Sequence, residues 1–178
     1  MTKKRSKKLV KEYTESGVSV NMPHKQHFRF QSLKTYQKLS GKGLKEMDFC
    51  WLKSSGGKGE TEQIFFLMEI WNKPTASNII EELTGKVIDS LLMLASLWLP
   101  HVELHKDVPG EFHTPPNSIE VFIVVTGANE HIGPLKDQLN TDLLKSRLSL
   151  FNIKEVMVLD NNDRTVIKAL GLEPYLPE

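Results

Sequence analysis

The chain has 178 residues, 39% hydrophobic and 25% charged, a balance that excludes a disordered or fibrous polymer and gives about one domain's worth of core. A single cysteine, Cys50, excludes an intrachain disulfide framework or a Cys-rich zinc site and suits a reducing compartment. The net charge of +1 conceals two unlike halves: residues 1–58 hold 14 Lys/Arg against 4 Asp/Glu, and the remainder holds 9 against 18.

In chain order, residues 1–8 read as a basic arm that lacks the apolar run of a signal peptide. Residues 9–178 read as a single domain. A short helix is expected over 9–16, with Leu9, Val10 and Tyr13 on one side, then extended runs over 18–22 and 27–31. A helical turn at 34–39 leads into a basic loop. Two strands follow, 47–52 and 64–71, joined by a glycine-rich loop (Gly56, Gly57, Gly59) short enough to pair them antiparallel. A helix opens near Asn78, where Glu81 gives capping-box spacing. Ile79, Leu83, Val87, Leu91 and Leu94 then share one apolar arc. Pro100 ends that helix, and 101–117 is an irregular connection. The clearest strand is 119–127, followed by a helix over 135–150 with Pro134 near its first turn, a strand over 156–160 and a last helix over 163–170.

This order implies an α/β protein, a mixed sheet with helices on both faces in three α/β/α layers. The longest apolar stretch, 91–99, is too short to span a bilayer. A cytoplasmic protein with no membrane partner is expected.

Asp48 and Glu69 stand inside apolar strand runs, where an unpaired charge costs several kcal/mol, roughly, on burial. On adjacent antiparallel strands they can lie side by side. Two carboxylates without a Cys/His set favour a hard cation such as Mg²⁺ or Mn²⁺, and the Ile70 carbonyl offers a further oxygen. A nearby lysine would orient water and offset charge on a phosphate.

Asp48, a hairpin and then Glu69-Ile70-Trp71, set in a helix–three-strand–helix–strand order over about 9–125, resembles the PD-(D/E)XK nuclease superfamily, the restriction-endonuclease-like fold. The resemblance maps that family's acidic pair onto Asp48 and Glu69, with Met47 in place of the proline and Trp71 in place of the lysine. Lys86, at the edge of the helix's apolar arc, matches the position to which some members move their lysine. Lys73 is the alternative nearer in sequence, and Glu12 is a further candidate for a helix carboxylate near the metal. The implied activity is metal-dependent hydrolysis of DNA phosphodiester bonds. The alternative is an inactive nucleic-acid-binding or assembly subunit of the same fold. A homodimer or a partner protein is expected, since no separate recognition domain is visible.

Blander assignments compete. Glu46 and Asp48 alternate with Met47 and Phe49 as the solvent face of an edge strand would, and Lys86 has Glu82 and Asp89 within one helical turn. The basic half, Lys25, Arg29, Lys34, Lys38, Lys42 and Lys45 among Phe28, Phe30 and Tyr36, suits contacts with DNA phosphates or plain surface decoration. His101, His105 and His113 read as a surface loop rather than a zinc site. Gly56-Gly57-Lys58-Gly59 lacks the Ser/Thr and helix of a phosphate loop, and Cys50 reads as buried and inert.

Overall fold

The computed structural model describes residues 10–38, 43–55, 62–72, 78–100, 102–127 and 129–178. The basic arm and the glycine loop therefore lie outside the described residues. The fold is mixed α/β. A five-stranded sheet runs in the order β3 (His27–Phe28), β4 (Phe49–Ser55), β5 (Glu62–Trp71), β6 (Ser118–Val125), β7 (Val156–Asp160), beside a two-stranded hairpin of β1 (Val10–Glu15) and β2 (Val18–Pro23). Neighbours β3 to β5 pair antiparallel, and β5 to β7 pair parallel.

The first element corrects the sequence-based expectation: residues 10–15 form a strand, not a helix. Ser16 and Gly17 take φ of 50° and 83°, the left-handed two-residue turn whose twist matches a hairpin. Val18, Val20 and Met22 of β2 then alternate into the core. The expected strand over 27–31 is also cut short, because a 3-10 turn starts at Phe30. It leads into the one-turn helix α1 (Lys34–Gln37), whose Thr35 N–H is capped by Asp107 Oδ2 at 2.9 Å.

The long helix is α2 (Ile79–Ser96); Asn78 precedes it but its side chain makes no capping bond. The predicted helix over 135–150 is two helices, α3 (Asn129–Leu139) and α4 (Asp142–Leu148). The break at Asn140 has a cause. Its side chain accepts from Val156 N–H at 2.8 Å and donates to Val156 O at 2.9 Å, satisfying β7 as a neighbouring strand would. Pro134 falls inside α3 rather than in its first turn. The last helix, α5 (Arg164–Ala169), is capped by Asp163.

Alternation along the strands divides the core. Cys50, Leu52, Phe65 and Leu67 face α2, α3 and α4. Phe49, Trp51, Phe66 and Met68 face the other way, against β2, Ile167 of α5 and the C-terminal Leu172 and Leu176. The expected second helical layer is thus mostly the hairpin, with α5 beside it. By the same alternation, Glu69 belongs to the face covered by α2.

Candidate functional site

Glu69 lies in the middle strand of the sheet and is 2% exposed. Continuing the register Phe49↔Met68 would set Asp48 opposite Glu69 and Met47 opposite Ile70, but β4 begins only at Phe49. Asp48 uses its side chain instead: its Oδ2 accepts the Ile70 N–H at 2.9 Å. A strand residue's N–H and C=O leave by the same edge, so the Ile70 carbonyl opens toward Asp48 as well. Across the sheet face, Lys86 of α2 places its Nζ 2.6 Å from Glu69 Oε1, with side-chain exposures of 20% and 3%. The same Nζ lies 5.9 Å from the centre of the Trp71 ring. The second Glu69 oxygen, Oε2, is buried with no hydrogen-bond partner.

Of the three side chains expected at the site, Lys86 meets Glu69 directly and the charge on Asp48 acts on Glu69. Lys86 pairs with Glu69 rather than with Glu82 or Asp89; Asp89 accepts the Lys45 N–H at 2.9 Å. Burial pushes the Asp48 carboxyl up to about 6, with the Glu15 charge adding to it and Ile70 N–H, Lys86 and Arg29 pulling it back. Burial also pushes Glu69 up to about 8, reinforced by the charge on Asp48 and opposed by Lys86. At Lys86, burial works against the charge, but the Glu69 carboxylate outweighs it and raises the ammonium above its usual value.

The other candidates are placed as follows. Glu12 is exposed on β1, paired with Asn21, not on a helix. The carboxylate from this part of the chain that acts on Asp48 is Glu15, which sequence reasoning missed. It forms an ion pair with Arg29, whose Nε donates to the Asp48 carbonyl at 3.3 Å. Arg29 also stacks its guanidinium 4.7 Å from the Phe49 ring centre, so it ties the hairpin to the site. Lys25, Lys34 and Lys38 are exposed, and Lys45 is half-buried. Lys42 and Lys73 lie outside the described residues.

His105 and His113 stack at 4.2 Å and direct Nε2 to the Leu97 and Val108 carbonyls; His101 lies outside the described residues. Among the described residues, no group of three or more His, Cys, Asp or Glu side chains is set to hold a metal ion. Among them, too, no helix is long and apolar enough to cross a membrane. No family model matches the chain, and no curated protein or solved structure matches it either.

Proposed function

We propose that this chain is a Mg²⁺- or Mn²⁺-dependent nuclease that hydrolyses DNA phosphodiester bonds. The observation that carries this reading is Glu69 Oε2, a buried carboxylate oxygen without a partner, acted on by the half-buried Asp48 carboxylate and within reach of a lysine. Asp48 and Glu69 resist full ionisation even with Lys86 present, so the site has room for more positive charge than the chain supplies. The oxygens of Asp48, Glu69 and the Ile70 carbonyl are hard donors that fit such a cation. Bound there, it would supply charge for a metal-activated water and for the phosphate. Lys86 holds Glu69 in place and adds a second positive group facing the phosphate.

The β3–β4–β5 meander, α2 and then parallel β6 support the finer reading of a restriction-endonuclease-like sheet, with the β1–β2 hairpin where a helix was expected. Tyr36 of α1 donates to Glu46, so the exposed Lys34 and Lys38 flank the segment that carries Asp48 and suit phosphate contacts. A cytoplasmic setting accords with the lone, buried Cys50.

Incubating supercoiled DNA with the purified protein tests the proposal. Cleavage is expected with Mg²⁺ or Mn²⁺, none with EDTA, and none from Asp48→Ala. Absence of cleavage by the wild type with either metal would sink the enzyme reading. The direct Lys86–Glu69 pair and Trp71 in the motif lysine's place favour a second reading, a binding or assembly subunit. It predicts DNA retention that falls steeply with salt, without cleavage.

A further inference from the structure

The geometry points to Ser90 and Asp89 of α2 as positioning residues that set where the Asp48 carboxylate stands; this rests on the site reading above. An antiparallel ladder continued past Phe49 would spend the Ile70 N–H on the backbone opposite it. The segment before β4 does not continue that ladder. The Met47 N–H donates to Ser90 Oγ at 2.9 Å, and both residues are fully buried, at 0% exposure. The Lys45 N–H donates to Asp89 Oδ2 at 2.9 Å. These two bonds hold the departing segment away from the ladder, and the Ile70 N–H donates to Asp48 Oδ2 instead.

Lys86, Asp89 and Ser90 stand at i, i+3 and i+4, hence on one face of α2. One rigid helix thus fixes both halves of the site: Lys86 against Glu69 on β5, and the 45–48 segment that brings Asp48. Gly85, just before Lys86, lets the Lys45 stem lie across the helix, since a Cβ there would stand 3.0 Å from Lys45 Cδ. A group that orients a metal ligand from behind commonly controls affinity by about 10- to 100-fold.

The test uses Ser90→Ala, Asp89→Ala and Asp89→Asn, the last retaining an oxygen for the Lys45 N–H. Two readouts are taken: Mn²⁺ affinity by calorimetry and the Ile70 amide resonance by NMR. Ser90→Ala and Asp89→Ala are expected to weaken Mn²⁺ about 10- to 100-fold and to move the Ile70 resonance, while Asp89→Asn stays near the wild type in both. Asn140→Ala, which removes a side chain bonded to the edge strand β7, serves as the stability control and should move neither. Should Ser90→Ala fail to fold, the Asp89 pair still decides the matter. Lower stability with unchanged Mn²⁺ affinity and an unchanged Ile70 resonance in Ser90→Ala and Asp89→Ala would overturn the assignment. If the wild type binds no Mn²⁺, the metal reading fails, and the Ile70 resonance alone then decides the positioning role.

Discussion

At the scale of single residues, the two carboxyls of the site oppose the fold's stability in its metal-free form. Both titrate above their ordinary values, up to about 6 for Asp48 and about 8 for Glu69, so the folded state binds more protons than the unfolded chain between about pH 4 and 8. Stability then falls as pH rises through that window, the reverse of the usual salt-bridged carboxylate. Asp48→Asn keeps an oxygen for the Ile70 N–H and removes the like charge beside Glu69. Its unfolding free energy at pH 8 is expected to exceed the wild type's by about 1 kcal/mol, measured by urea denaturation; a loss of stability would contradict the charge argument. The site was legible in the sequence because ionisable groups interrupt apolar runs, and Lys86 stood out for the same reason. Glu15 and Arg29 were not legible in these roles. Their meeting with Asp48 depends on the hairpin folding over the sheet, and no spacing in the chain encodes that.

At the scale of elements, α2 dominates. Its apolar arc, read from periodicity, packs as expected through Leu83, Val87, Leu91 and Leu94. Its other contribution, the hydrogen bonds that Asp89 and Ser90 accept from the Lys45 and Met47 N–H groups, leaves no mark on hydrophobic periodicity and so was invisible in the sequence. Gly85 gives a direct probe of this helix. The Lys45 stem is a flexible neighbour that can shift by a few tenths of an ångström, whereas a glycine inside a helix costs about 1 kcal/mol relative to alanine. Gly85→Ala is therefore expected to raise the melting temperature, and a fall would show that the Lys45 stem cannot yield. Asn140→Ala should act the other way: it removes both bonds to the Val156 backbone and should cost about 2 kcal/mol in a denaturant titration. Residues 10–15 were misread because a six-residue, mostly exposed segment carries too little periodicity to separate strand from helix. The Ser16-Gly17 turn was the better signal.

At the scale of the whole molecule, the mixed sheet was readable because residues 65–68 of β5 and 121–125 of β6 are continuously apolar and buried on both faces. The covering of its second face was not readable, since β2 and the C-terminal segment meet there only in three dimensions, as in the 2.8 Å bond from Asn21 N–H to the Tyr175 carbonyl. The sheet sets Glu69 on its middle strand, α2 brings Lys86 from one face, and the 45–48 segment brings Asp48 to the strand edge. The central claim is that these groups form one cation site. Calorimetric titration of the wild type with Mn²⁺ at pH 7 tests it most directly. The account predicts one ion per chain, bound with release of protons from the raised carboxyls, weakening as pH falls from about 8 toward 6, and lost in Asp48→Asn and in Glu69→Gln. Wild-type protein that binds no Mn²⁺, or binding that survives both substitutions unchanged, would contradict it.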